Sequence, residues 1–174
     1  MKQEPILFDD NLYQPVKGEN GLYPYVEHTE DKIAGFFGKK GFFLSNGQKC
    51  MIPDAEDKSL IYPYSENAYQ AAKFQDITIR SQFVEIDFKK AIQLAWELKS
   101  KIRDDWEERK LWEMERVLRI KFADPFLKSR LLATSSKYLE ETNHWKDTYW
   151  GVCNGIGENN LGKILMKIRQ DYKA

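Results

Sequence analysis

The 174-residue chain carries 27 basic and 27 acidic side chains, a formal net charge of zero, which excludes capture of nucleic acid or anionic membrane by bulk electrostatics and leaves room only for a local basic pocket. Apolar residues at 42% and aromatics at 14% describe one ordinary globular domain and exclude a disordered chain, since roughly 100 to 200 residues close a core without disulfides. Cys50 and Cys153 stand isolated, with no CxxC spacing, and read as free thiols of a reducing compartment.

Met1 to Asp10 contains no apolar run of the kind a signal peptide or membrane span requires, so a cytoplasmic protein with no membrane partner is expected. Residues 1–34 hold Pro5, Pro15, Pro24, Gly18 and Gly21 among Phe8, Tyr13, Tyr23 and Tyr25, the composition of turns and short strands. They are expected to form an N-terminal extension packed on a domain spanning residues 35–174. From Gly41, the run Phe42-Phe43-Leu44 is predicted as a short strand ending at Ser45 and Asn46. Gln48 to Ser59 is polar and reads as a loop, and Leu60 to Tyr62 as a second strand before Pro63.

Helices follow. Ser65 is a predicted N-cap with Glu66 in the first turn, and the helix is expected to reach Phe74 or Gln75. Asp87 caps a helix whose Ala91, Ile92, Leu94, Ala95 and Leu98 form an apolar stripe, and Asp105 with Glu108 makes a capping box for the next. That third helix is predicted to bury Leu111, Trp112, Met114, Val117, Leu118 and Phe122. Asp124 followed by Pro125 opens another helix that Thr134 stops, Tyr138 to Glu141 reads as a short strand, and Leu161, Ile164, Leu165 and Ile168 mark a final helix. Short strands first and helices later, without βαβ alternation, predict a helix-rich α+β fold with a small sheet.

Glu66, Gln70 and Lys73 fall at i, i+4 and i+7 and share one helix face, with Tyr69 beside them and Ala68, Ala71 and Ala72 opposite. On the residues alone two readings stand: alanines packed on the core under a solvated polar stripe, or a carboxylate, an amide and an amine aimed into a pocket. A desolvated Glu can act as general acid or base, and a desolvated Lys as an amine nucleophile. Asp147, Tyr149, Trp150 and Gly151 place a carboxylate beside two aromatics and a flexible loop, which could stack a base or a sugar. The glycines from Gly151 to Gly162 precede a helix whose amides could meet an anion, but they form neither a P-loop nor a GxGxxG turn. The basic cluster Lys99, Lys101, Arg103, Arg109 and Lys110 is neutralised by Asp104, Asp105, Glu107 and Glu108. His28 and His144 lack partners at metal-ligand spacing, so no metal site is expected, and there is no GxSxG elbow.

Several ordered blocks carry a family resemblance. They are Phe43-Leu-Ser-Asn46; Tyr62-Pro-Tyr-Ser-Glu-Asn-Ala-Tyr-Gln-Ala-Ala-Lys-Phe74; Lys121-Phe122 with Leu131 to Thr134; Asp147-Thr-Tyr-Trp-Gly151; and Gly155-Ile-Gly-Glu-Asn159 with Leu161-Gly162 and Leu165-Met166. Over about residues 36 to 172 the chain resembles the NADAR family, also called YbiA-like. The resemblance implies a helix-rich α+β fold with a small sheet, no metal, no organic cofactor, and hydrolysis of N-glycosidic bonds. The implied substrates are phosphoribosylaminopyrimidine intermediates of riboflavin biosynthesis or ADP-ribose on guanine, the latter carried by a nucleotide or by modified DNA.

It also implies Glu66, Lys73 and Asp147 as catalytic residues, with Glu66 matching the family's glutamate. Ser45, Asn46, Asn67, Tyr69, Gln70, Tyr149, Trp150, Gly151, Gly157 and Asn159 are the implied substrate-binding set. Three positions depart from the family pattern: Asn67 stands where His is usual, Gly47-Gln48 replaces an aromatic pair, and residues before Gly35 lie outside it. Asn67 lies about 100° around the helix from Glu66, so it would touch another part of the ligand or hold a neighbouring loop. A Schiff base on Lys73 is the alternative chemistry. A non-catalytic ADP-ribose or nucleotide-binding module, and a contact domain using the aromatics of residues 8 to 25, are the alternatives to an enzyme.

Overall fold

A computed structural model describes residues 29–37 and 41–174, so the predicted turns and strands of residues 1–28 lie outside the described residues. Strand β1 (Lys32–Ala34) pairs in parallel with β4 (Tyr138–Glu140), which joins the start of the described chain to its C-terminal third. Strands β2 (Lys49–Pro53) and β3 (Ile61–Tyr64) form an antiparallel pair, Ile52 opposite Tyr62, and the two-residue strands β5 (Thr142–Asn143) and β6 (Val152–Cys153) pair in parallel. Around them stand α1 (Ser65–Ala71), α2 (Ile77–Arg80), α3 (Phe88–Glu97), α4 (Trp106–Lys121), α5 (Pro125–Ala133) and α6 (Asn160–Asp171). The fold is α+β, helix-rich, with its strands in three small pairs. Among the described residues no helix is long and apolar enough to cross a membrane.

Helix α1 lies between two apolar cores. Ala68 and Ala71 join Cys50, Ile52, Phe74, Phe83 and Val117 on one side. Tyr69 enters the other, with Trp106, Met114, Leu118, Leu131 and Leu165. Small residues on one face allow close approach, and the aromatic on the other fills a wider gap. The polar face of α1 is thereby held between two packed bodies instead of facing open water.

Several predicted elements are corrected. Phe42–Leu44 is a 3-10 turn, its Phe42 carbonyl accepting from the Ser45 N–H at 2.9 Å, because Phe43 and Leu44 are both buried and adjacent strand positions face opposite sides. The strand lies further on: Cys50 and Ile52 alternate inward along β2, inside what composition marks as a loop. Ser65 does not cap α1; it is fully buried, with its Oγ 3.4 Å from the Cys50 thiol, and the helix tightens into a 3-10 turn from Ala71 to Phe74. Asp105 accepts from Arg103 and makes no side-chain cap, so the predicted box is absent.

Ile92, Leu111 and Trp112 are exposed. In α4 the buried row is Glu113, Met114, Val117, Leu118 and Lys121, and Glu113 is neutralised by Arg109 at 3.0 Å and Arg116 at 2.9 Å. Two buried charged residues rotate the helix away from the phase that apolar residues alone predict.

Candidate active site

The face of α1 that carries Glu66 and Gln70, continued by Lys73 in the 3-10 turn after it, lies at the Ser45–Asn46 loop and near Asp147. Gln70, only 6% exposed, donates from Nε2 to Glu66 Oε1 at 2.6 Å and so fixes the carboxyl one turn earlier on the helix. Burial raises the proton affinity of the Glu66 carboxyl. The amides of Gln70 and Asn46 and the Lys73 ammonium pull against that rise, while the Asp147 charge adds to it. Lys73 is half-buried over the rings of Tyr69 and Trp106, at 5.6 and 5.9 Å from their centroids, and burial lowers its pKa against the opposing charges of Glu66 and Glu107.

The Ser45–Asn46 loop is tied from both sides. The Asn46 carbonyl accepts the Glu66 N–H at 3.1 Å, and the buried Lys121 donates from Nζ to the Ser45 carbonyl at 2.7 Å. Asn46 Nδ2 meets Met114 Sδ at 3.4 Å, and Asn46 Oδ1 and Gln70 Oε1 are buried polar atoms without a hydrogen-bond partner. Burial pushes the Lys121 ammonium down to about 8.

An aromatic wall stands beside the carboxyl. Tyr69 packs against Trp106 at 5.1 Å and edge-on to Trp150 at 5.5 Å, and Trp150 is edge-on to Tyr149 at 5.0 Å. Lys110 lies 3.9 Å from the centre of the Tyr149 ring. Asp147 holds this wall by its backbone, with Oδ1 accepting from the N–H of Tyr149 at 3.1 Å and of Trp150 at 2.9 Å. Asn143 closes the loop before it, donating to the Asp147 carbonyl at 2.7 Å and accepting from the Asp147 N–H at 3.1 Å.

Other predicted binding residues act through the backbone. Asn67 is fully buried and donates to the carbonyls of Phe83 at 2.8 Å and Ile86 at 2.7 Å, so it holds that neighbouring segment and does not line the cluster. Asn159, at φ +54°, accepts from the Glu141 N–H at 3.0 Å and donates to the Leu139 carbonyl at 2.9 Å. A Cβ on Gly151 would lie 2.2 Å from the Glu141 carbonyl oxygen, and one on Gly157, at φ +153°, 2.1 Å from that of Gly151. These two glycines let the Glu141 and Asn159 segments touch.

Two site residues escaped the sequence reading. Glu141 follows β4, and its Oε2 is buried without a partner. Its carboxyl is pushed up to about 8 by burial, with the charges of Asp147 and Glu66 adding to the rise and a Phe36 backbone hydrogen bond and Lys121 opposing it. Lys121 closes the same cluster from α4. An adjacent Glu140–Glu141 pair in a short strand is the signal that was available, since alternation turns one of the two inward. A separate surface recess of about 650 Å³, bounded by Gln75, Ile79, Lys101, Arg103 and Asp105, does not include this cluster.

A helix-rich α+β domain with carboxyl and lysine groups drawn out of water beside an aromatic wall has the make-up of a candidate active site. The NADAR domain family matches residues 30–173, and the chain belongs to that family. It is 34% identical over 150 residues to the N-glycosidase YbiA of Escherichia coli K12, covering 83% of this chain and 92% of that protein. It is 35% identical over 134 residues to the riboflavin biosynthesis protein VVA0006 of Vibrio vulnificus, where the match takes in 75% of this chain but only 35% of that protein's length. The NMR structure of E. coli YbiA superposes with a TM-score of 0.70 at 28% identity, covering 86% of this chain and 90% of that one.

Proposed function

We propose that this protein is an N-glycosidase that hydrolyses the bond between a ribose and a nitrogen base. The observation that carries the reading is the Glu66 carboxyl, held at 2.6 Å by Gln70 on α1 with the Lys73 ammonium close by in the turn that follows. Relatives named as an N-glycosidase and as riboflavin biosynthesis proteins support it.

Breaking a ribosyl C–N bond builds positive charge on C1′ and its ring oxygen, and a carboxylate next to that carbon both stabilises the charge and takes a proton from attacking water. Glu66 is assigned this task. The amides of Gln70 and Asn46 and the Lys73 ammonium oppose the rise that burial imposes on the Glu66 carboxyl. Tyr149 and Trp150, half-buried and backed by the core residue Tyr69, offer faces and edges for the sugar and the base, and Asp147 positions that wall through the two N–H groups it accepts. Ser45 and Asn46 bound the site beside Glu66, whose N–H the Asn46 carbonyl accepts and whose charged carboxylate the Asn46 side-chain amide favours. Cys50 and Cys153 are both buried free thiols, which fits a reducing compartment such as the cytoplasm.

The test is incubation of the purified protein, with Glu66→Gln beside it, with phosphoribosylaminopyrimidines and with DNA bearing ADP-ribosylated guanine, products being followed by mass spectrometry. Release of ribose phosphate or ADP-ribose, lost in the variant, is the expected result and names the substrate class. Nucleotide binding without turnover would make the protein a binding module instead. Borohydride added during turnover is expected to leave Lys73 unmodified; a reduced sugar adduct there would transfer the nucleophile's role from water to the lysine.

A further inference from the structure

We infer that Glu141 is the acid that protonates the departing base, so that two carboxyls divide the reaction, Glu66 acting on water and Glu141 on the leaving group. The inference rests on the N-glycosidase reading above. Its starting point is placement. The Glu141 backbone is pinned on both sides, the N–H by Asn159 Oδ1 at 3.0 Å and the carbonyl by the Val152 N–H at 2.8 Å. With the chain fixed there, its side chain lies along the Gly151 backbone, where a Cβ would stand 3.1 Å from Glu141 Cγ. One carboxyl oxygen, Oε2, is shut from solvent with no hydrogen-bond partner. Leaving a buried oxygen unmet works against stability, and such unpaired groups in native proteins call for an explanation, chemistry being one.

The surroundings of the two carboxyls differ in a way that assigns the roles. The Gln70 and Asn46 amides and the Lys73 ammonium favour the charged form of Glu66. Glu141 is faced by the Phe36 N–H, by Lys121 from α4, by Asp147 across the loop and by Glu66 from α1. Burial and the two like charges outweigh the Phe36 N–H and Lys121, so Glu141 holds its proton through neutral pH. Burial and the Asp147 charge raise both carboxyls, but Glu66 accepts the Gln70 amide while Glu141 Oε2 has no donor, and of two carboxyls so unequally supplied the first is suited to act as base and the second as acid.

The step balances as follows. The C1′–N bond breaks, its electron pair goes to the base nitrogen, and that nitrogen takes the proton of Glu141. A water oxygen bonds to C1′ and gives its proton to Glu66. Before the next turnover the Glu66 proton returns to Glu141 through solvent, and the net reaction is hydrolysis.

The experiment compares kcat and KM against pH for the wild type, Glu141→Gln and Glu141→Asp on the N-riboside that the wild type turns over. Glu141→Gln is expected to lower kcat by about 100-fold or more, with KM within a few-fold, and to abolish the alkaline limb of the kcat profile; Glu141→Asp should restore part of both. Lys121 titrates in the same range, so Lys121→Met separates the two: it should keep the limb but move it upward, because Lys121 holds the Glu141 pKa down. A Glu141→Gln enzyme with wild-type kcat overturns the inference. So does one that loses kcat while keeping the alkaline limb, which would make Glu141 a positioning residue only. A wild type inactive on every N-riboside tried overturns the N-glycosidase reading beneath it, and that result is visible before any variant is compared.

Discussion

Asp54 and Glu141 are both carboxyls in buried surroundings, and the protein treats them in opposite ways. Asp54 is 4% exposed, yet its Oδ2 accepts the Tyr62 hydroxyl at 2.7 Å and its Oδ1 accepts the N–H groups of Glu56 at 2.8 Å and Asp57 at 3.1 Å. Arg80 adds a charge at 3.6 Å. Burial alone would raise the Asp54 pKa, but those bonds overcome it and hold the carboxyl below the ordinary range. Around Glu141 the count runs the other way, with Oε2 left without a partner. The number of donors supplied decides whether a buried carboxyl is charged and structural or neutral and reactive. The Asp54 network closes the β2–β3 turn on itself, whereas the Glu66 cluster has hydrogen-bonding capacity that the chain does not fill.

The largest effects should separate these two regions cleanly. Glu66→Gln is expected to reduce kcat by about 1,000-fold, within the range that loss of a positioned acid or base produces, while the urea midpoint stays level or rises. Asp54→Asn is expected to lower stability by about 1–3 kcal/mol, because one of its two oxygens becomes an amide donor facing either the Tyr62 hydroxyl or the N–H groups of Glu56 and Asp57, with Arg80 still paired to Glu56 and kcat per folded molecule unchanged. Urea titration and initial rates on the same two preparations decide the matter. If both variants lost stability and activity together, the division into a structural and a reactive carboxyl would fail.

The sequence made one half of the site legible and hid the other. The spacing of Glu66 and Gln70 sufficed to put them on one helix face, Lys73 following in a 3-10 turn beyond the helix's actual end at Ala71, and the caps at Asp87 and Asp124 formed as read, each accepting from two backbone N–H groups. Local signals of that kind survive folding because their partners lie within a turn of chain. Glu141 and Lys121 were missed because their inward orientation depends on closure of β4 against β1 and on the phase of α4, and that phase is set by two buried charged residues that an apolar count treats as surface. Asn67 and Asn159 show a different limit. Their side-chain amides bond mainly to backbone of Phe83, Ile86, Leu139 and Glu141, and a residue type does not disclose whether its partner is a ligand or the chain.

A smaller effect sharpens the electrostatic half of the comparison. Lys73 lowers the pKa of Glu66, so Lys73→Met should raise it and move the acid limb of kcat/KM to higher pH, with about tenfold lower activity near neutrality, one pKa unit being about 1.4 kcal/mol. An acid limb that stays in place would show that Lys73 acts on the substrate and not through Glu66.

The smallest effect sets the two buried carboxyls against each other in stability alone. The folded-state pKa of Glu141, about 8, lies above its ordinary 4.5, so between those values the native protein holds a proton that the unfolded chain has released, and stability falls as pH rises through that window. Asp54 is depressed below 3.8; its contribution is present above that value and is lost as pH falls through the lower folded one. Glu141→Gln carries no ionisable group there and should gain on the wild type as pH rises from 4.5 to 8, by no more than about 1.4 kcal/mol per pH unit, and by less where the half-buried side chain is screened. Asp54→Asn should show the reverse, its deficit shrinking as pH falls below 3.8. Urea midpoints of both variants measured from pH 3 to pH 9 give two curves of opposite slope if Glu141 is buried neutral and Asp54 buried charged, and a flat Glu141→Gln difference would mean that Glu141 ionises in the native protein as it does in water.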